Sequence, residues 1–405
     1  MIERILSTFS AESLLPEEKR VAIRERSNTL LIGIPRECRE FEKRLPLTPE
    51  AVAILCDQGH HVILEAGAGE PIHYADHVFS EAGAEIASDA ARVWECDIVI
   101  KVSSPTPREV SMMKNRATLI SLIQLSLFSP ETLNIMAERR INAVAYEFIT
   151  DEQGGHPIIN QIREIEGRTA IVLAADLLTN ESGGKGILLG GCAGVSPTEV
   201  VILGAGRAGS EAARTAVSLG ALVKVFDNHV DALRNLQRAL GASTFTSTLH
   251  PHVLLNALRS ADVVIGALRI EKGEKHYFVS ADMVRQMKAG SLIIDLSVDQ
   301  GGCFETSVCP SNLYEVFFEQ YGVLHYCLPN ISSRVARTTT ISLSNHLLPM
   351  LQDMAEAGTM NDYLRENSCF RSGIYFYNGK LVNPTIGEHF DYPWSDIMLF
   401  LTSFQ

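Results

Sequence analysis

EVVILGAGRAGSEAARTAVSLGALVKVFD (199–227) decides the fold. An apolar β-branched run, EVVIL, leads into Gly204-Ala205-Gly206-Arg207-Ala208-Gly209; a helical stretch to about 219 and a second apolar run follow. Strand, glycine loop, helix, strand is the order in which a dinucleotide site is built. Gly204 permits the tight turn, Gly206 lets backbone approach a pyrophosphate, and Gly209 lets helix and strand pack closely. The helix N-terminus offers unpaired N–H groups and a positive dipole end to the phosphates. Asp227 ends the second strand, eighteen residues past Gly209. Its carboxylate accepts hydrogen bonds from ribose hydroxyls and repels a 2′-phosphate, so NAD is expected rather than NADP. The Arg207 guanidinium reads as a solvated side chain within that loop.

Further strands are expected on both sides. ALVKVFD (221–227), DVVIGAL (262–268), SLIIDLSV (291–298) and VLHYCL (323–328) continue the series, preceded by a long helical stretch over roughly 161–180. Asp299, Leu268 and Asn330 follow strands, where ligands of open parallel sheets bind. Asn330 suits the nicotinamide carboxamide; Asp299 is read as a site residue, with a turn-capping role as the plainer alternative. An earlier series comprises LLIGIP (30–35), HVILEAG (61–67), DIVIKV (97–102), TLISLI (118–123) and INAVAYEF (141–148), with helices over 49–58 and 130–140. Thr48-Pro49 is a helix start and Gly59 a helix stop. Alternation of this kind predicts an α/β protein with doubly wound parallel sheets. Beyond Arg334 the chain is expected to be helical to about 357, and Asn378-Gly379 predicts a type I′ hairpin.

At 405 residues two domains are expected, and 46% hydrophobic with 20% charged residues is globular composition. A net charge of −13 excludes non-specific binding to nucleic acid or an anionic membrane face. The first 28 residues lack the apolar core of a signal peptide, and no run is long enough to span a bilayer. The eight cysteines are scattered without a CxxC pair, as expected of reduced thiols in a cytoplasmic protein. No histidine has ligand spacing with an acid or cysteine, so no metal is expected.

GIPRE (33–37), RLPLTP (44–49), EAGAGE (65–70), DIVIKV (97–102), the glycine loop and IDLSVDQGGCFE (294–305) stand in the order found in one family. Over residues 31 to the end, the chain resembles the alanine dehydrogenases and the NAD-binding subunit of proton-translocating transhydrogenase. AlaTyrGlu (145–147) and AspGlnGlyGly-CysPheGlu tilt it to the dehydrogenase branch. The resemblance implies a Rossmann NAD domain over 158–335 and a discontinuous substrate domain of 31–157 with 336–405; outside it, residues 1–30 read from their own pattern as an N-terminal amphipathic helical arm. The resemblance also implies oxidation of L-alanine by NAD and water to pyruvate, ammonia and NADH, in a homo-oligomer (hexamer or dimer).

Arg44 matches the family's carboxylate-binding arginine, the residue type that binds a carboxylate bidentately. Two other family groups are missing. The family's Lys-Val-Lys-Glu-Pro segment reads Lys101-Val102-Ser103-Ser104-Pro105, and its catalytic histidine falls on Gln124. Serine and glutamine do not titrate, so Asp299, Lys101 and Glu147 are the candidates for proton transfer, with Gln124 and Lys101 lining the pocket. Arg163, where the dehydrogenases carry serine, is a candidate for a second substrate carboxylate. The leading expectation is an NAD-dependent oxidoreductase acting on a small amino acid or its 2-oxo acid. The alternatives are an imine- or opine-forming reductase and a non-catalytic NAD(H)-binding or sensing protein.

Overall fold

A computed structural model describes residues 29–241, 244–269, 277–308 and 316–401. The expected N-terminal arm falls outside them, apart from its last two residues.

Among the described residues the strands form two sheets. The first takes β1 (Leu31–Ile34), β2 (His61–Glu65), β3 (Glu85–Ala87), β4 (Ile98–Ile100), β5 (Thr118–Ser121) and β6 (Asn142–Ala145). The second takes β7 (Glu199–Leu203), β8 (Leu222–Phe226), β9 (Phe245–Ser247), β10 (Val263–Gly266), β11 (Leu292–Asp295), β12 (Phe317–Gln320) and β13 (Val323–Tyr326). The chain then returns to the first sheet with β14 (Ile374–Tyr377) and β15 (Lys380–Leu381).

The first sheet runs β15-β14-β6-β5-β4-β1-β2-β3 and the second β12-β13-β11-β10-β7-β8-β9. Apart from β12 and the β14–β15 hairpin, every pairing is parallel. Each sheet therefore reverses its winding beside its first strand, between β1 and β4 and between β7 and β10. Ligands of open α/β sheets bind at such reversals, beyond the strands' carboxyl ends. The C-terminal ends of β1 and β4 lead into the segments holding Arg44 and Ser103; those of β7 and β10 lead into the glycine loop and Leu268.

A helix over Pro157–Leu177 joins the two units. Its start buries Ile158 and Ile162 in the first core, and its end buries Ala170, Ile171, Leu173 and Ala174 in the second. The helix Ala336–Ala357 carries Leu343, Leu347 and Leu351 back into the first core. The hairpin turns at Asn378 and Gly379 with φ 46° and 79°, as a type I′ turn requires.

Three strands escape the apolar-run reading: β3, β9 and β12. All lie at or next to a sheet edge, are three or four residues long and are only partly buried. Half-exposed edge strands need no continuous apolar run. The expected strand 291–298 stops at Asp295, and Asp299 lies on the one-turn 3-10 helix Val298–Gln300.

Candidate active site

The helix Arg207–Ser218 begins at Gly206, whose backbone faces open space where a Cβ would meet nothing. Gly204 holds φ 113°, and a Cβ on Gly209 would lie 1.9 Å from the Gly204 carbonyl oxygen. The loop thus has the open backbone and close helix–strand approach that a pyrophosphate needs, as Gly204, Ala205, Gly206, Ala208 and Gly209 lead one to expect. Asp227 is buried at the end of β8; its Oδ2 accepts from the Ala205 N–H at 2.7 Å and its Oδ1 from the His229 N–H at 2.7 Å. One carboxylate braces the loop and retains lone pairs for ribose hydroxyls. Arg207 is exposed and reaches Glu164 of the joining helix at 3.7 Å.

Beyond the carboxyl ends of β10, β11 and β13 stand Leu268, Asp299 and Asn330. Asp295, four residues before Asp299, braces the glycine turn. Asp295 accepts from the N–H groups of Ser297 and Cys303 and from the Ser307 hydroxyl, closing the Gly301-Gly302 turn. Asp299 lies inside that loop, and burial pushes its carboxyl up to about 6, Asp295's charge adding and its own backbone N–H, Gln300 and Arg163 opposing. Asn330 is buried; its Nδ2 donates to the Phe41 carbonyl and to Glu42, while its Oδ1 has no described partner. An orphaned buried acceptor here fits a carboxamide N–H donor.

The segment 43–48 is stitched to the C-terminal part of the chain by hydroxyls. The N–H groups of Lys43, Leu45 and Thr48 donate to Ser333, Thr340 and Ser344 at 2.9, 2.9 and 3.2 Å. Arg44 is 2% exposed. Its Nε and Nη2 both donate to Glu42, at 2.7 and 2.6 Å, and its Nη1 to the Ser332 hydroxyl at 3.1 Å. Burial would release the proton, but Glu42 more than offsets that and Arg44 stays firmly cationic. Glu42 takes the side edge of the guanidinium and leaves the Nη1–Nη2 end for a second carboxylate. A cavity of about 410 Å³ reaches Arg44, walled also by Arg36, Glu42, Ala68 and His73. Its walls do not include Gln124 or Asp299.

Ser332 in turn lies 3.3 Å from Glu166 of the joining helix. Neither Glu42 nor Glu166 is singled out by motif reading. Glu42 stands two residues from Arg44, and Glu166 one turn from Arg163, the signals that would have raised them.

Lys101 was expected to line the pocket; the structure instead encloses it, with no exposed surface. Its Nζ meets Glu109 at 2.6 Å and Glu37 at 3.5 Å, and lies 5.9 Å from the Trp94 ring centroid. Burial lowers its pKa, but the two carboxylates outweigh that and hold the charge on. Ser103 donates its hydroxyl and its N–H to Glu37, completing a closed cluster. Gln124 adopts φ 41°, and its N–H and that of Ile123 donate to Glu147 Oε1. Glu147 therefore shapes the turn after β5, with its carboxyl raised by burial and its Oε2 unpartnered among the described residues. Arg163 makes no hydrogen bond or ion pair with a described residue; burial and the charge of Arg269 lower its pKa.

Two family models match: "Alanine dehydrogenase/PNT, N-terminal domain" over residues 33–166 and "Alanine dehydrogenase/PNT, C-terminal domain" over 170–384. The alanine dehydrogenase of Mycolicibacterium smegmatis is 35% identical over 373 residues, 92% of this chain and 100% of that protein. That of Bacillus subtilis is 34% identical over 365 residues, 90% of this chain and 96% of that protein. A solved L-alanine dehydrogenase superposes with a TM-score of 0.82 at 33% identity, covering 89% of this chain and 99% of that one. With its Rossmann loop built for NAD, the chain belongs to the alanine dehydrogenase/PNT family of NAD-dependent dehydrogenases.

Proposed function

We propose that this protein interconverts L-alanine and pyruvate: L-alanine, NAD and water give pyruvate, ammonia and NADH. The observation that carries this reading is Arg44, buried, held side-on by Glu42, with its Nη1–Nη2 end taken only in part by the Ser332 hydroxyl. A guanidinium fixed in that way is organised to bind a planar carboxylate before substrate arrives. The relatives' names support the same substrate pair. When bound, the nicotinamide supplies the hydride acceptor. The residues that would hold it are Gly204–Gly209, Asp227, Leu268, Asp299 and Asn330, and Asp299 would orient both ribose and substrate.

Ser103 and Gln124 stand where the family has its lysine and histidine. Neither titrates, so proton transfer must pass through another group or the rate falls by ~10²–10⁴. NADH oxidation by purified protein with pyruvate and ammonium tests the reading. Turnover supports it; NADH binding without turnover contradicts it. Assembly as a homo-oligomer in the cytoplasm belongs to the same proposal, and light scattering on the eluted protein checks the assembly. Among the described residues no helix is long and apolar enough to cross a membrane.

Arg163 favours a second reading. A partly buried cation without a described partner, repelled by Arg269, suits a substrate with a further acidic group. Faster NADH oxidation with a 2-oxo dicarboxylic acid than with pyruvate would select it, as would a preference for an imine-forming amino acid over ammonium.

A further inference from the structure

The joining helix Pro157–Leu177 carries its charges on two faces. Glu164 and Arg168 are four residues apart and both answer partners on the dinucleotide helix, Arg207 at 3.7 Å and Glu211 at 2.9 Å. Gly167 packs that side so closely that a Cβ would sit 2.1 Å from the Ala208 carbonyl oxygen. Arg163 and Glu166 are three residues apart and share a different face. Neither forms an ion pair with a described residue, although Arg44, Arg163 and Asp299 all act on Glu166.

What Glu166 does touch is Ser332, whose hydroxyl also receives Arg44 Nη1. Arg44, Ser332 and Glu166 thus form a continuous polar line from the carboxylate anchor to the helix beside the pyrophosphate loop. Ser332 bridges the carboxylate anchor and Glu166 through one hydroxyl. We infer that Glu166 is the general acid–base group of this cleft, doing the proton transfer that Ser103 and Gln124 cannot; the inference rests on the alanine–pyruvate reading above.

In the oxidative direction bound NAD would accept the α-hydrogen as hydride, leaving the substrate's neutral amine as a cationic imine. Water adds to the imine carbon, and its proton passes to the Glu166 carboxylate. The proton returns to nitrogen as the carbon–nitrogen bond breaks, and the hydroxyl proton released as the carbonyl forms leaves on ammonia, so pyruvate and ammonium depart and Glu166 is again ionised. The reverse direction needs the acid form at the start. A carboxyl suited to both directions titrates near neutrality. Burial lifts Glu166 to about 7, with Arg44 opposing, Asp299 adding, and Arg163 and Ser332 opposing. An incoming substrate carboxylate adds negative charge beside it and favours the protonated form further.

Two measurements on the full-length protein test this. The first is calorimetry of pyruvate binding to the protein–NADH complex at pH 7.5 in two buffers of different ionisation heat. Proton uptake in the wild type, absent in Glu166→Gln with NADH affinity unchanged, is expected; no uptake in the wild type overturns the inference. The second is the pH profile of alanine oxidation. The wild type is expected to gain kcat/KM as pH rises through about 7. Glu166→Gln is expected to lose that limb and ~10²-fold or more in kcat, and Glu166→Asp to restore part of both. Glu166→Gln with wild-type kcat and the same limb overturns the role of Glu166 and leaves the alanine reading standing. A wild type inert towards alanine and pyruvate at every pH overturns both.

Discussion

Arg44 and Lys101 follow neighbouring strands of one sheet, β1 and β4, and both are buried cations answered by glutamates. They differ in how their glutamates enclose them. Lys101 has its ammonium between Glu109 and Glu37, with Trp94 beside it, and nothing of it reaches solvent. Arg44 gives one edge to Glu42 and keeps the other, which Ser332 only partly occupies. The planar fork with five donors makes the difference: a carboxylate can orient a guanidinium without exhausting it, whereas the Lys101 ammonium is enclosed and neutralised by its two carboxylates. On the proposed reading the Arg44 cluster binds substrate and the Lys101 cluster holds the fold.

The widest separation is expected from Arg44→Ala. Removing the anchor and leaving Glu42 buried without its partner is expected to lower kcat/KM for pyruvate by ~10²–10³, corresponding to about 3–4 kcal/mol. Fluorescence titration with NADH should show cofactor affinity largely retained. Lys101→Met attacks the other cluster. Breaking a buried pair costs about 3–5 kcal/mol, visible as a fall in unfolding temperature, with kcat per NADH-competent site unchanged. Glu109, held below its ordinary range by Lys101 against the effect of burial, would then be unpaired.

Asp227→Ala removes the ribose acceptor and the brace on Ala205. NADH affinity is expected to fall by ~10-fold or more, with NADPH affected less, so the two cofactors converge. The smallest effect sits at the cleft carboxylates. Burial lifts Glu166 from 4.5 to about 7 and Asp299 from 3.8 to about 6, so their ionised forms are disfavoured in the folded state. Folded pKa above unfolded means stability is lost as pH rises from about 4 through those folded values. Glu166→Gln and Asp299→Asn should therefore raise the unfolding temperature at pH 8 by a few degrees and lose that gain towards pH 4. An equal gain at both pH values would contradict the burial of these groups.

Much of the arrangement was legible in the sequence. Threonine 48 with Pro49 starts a helix, Asn378-Gly379 turns a hairpin, and the glycine loop sits between β7 and its helix, because each rests on local chemistry. What was not legible depends on partners distant in the chain. Lys101 looked like a pocket residue because its enclosure comes from Glu37, sixty-four positions earlier, as well as from Glu109. Asp299 and Asp295 differ by one turn, and only the hydrogen bonds to Asp295 show which closes the loop. Glu166 lies outside every motif; its meaning comes from Ser332, which the fold brings to it across the cleft.

The most direct test compares Arg44→Ala with Lys101→Met in one assay: NADH oxidation with pyruvate and ammonium, rates normalised to NADH-binding sites. Loss of kcat/KM in the arginine variant with kcat kept in the lysine variant is expected. An active Arg44→Ala, or a correctly folded Lys101→Met that binds NADH and no longer turns over, would contradict the division of labour between the two clusters.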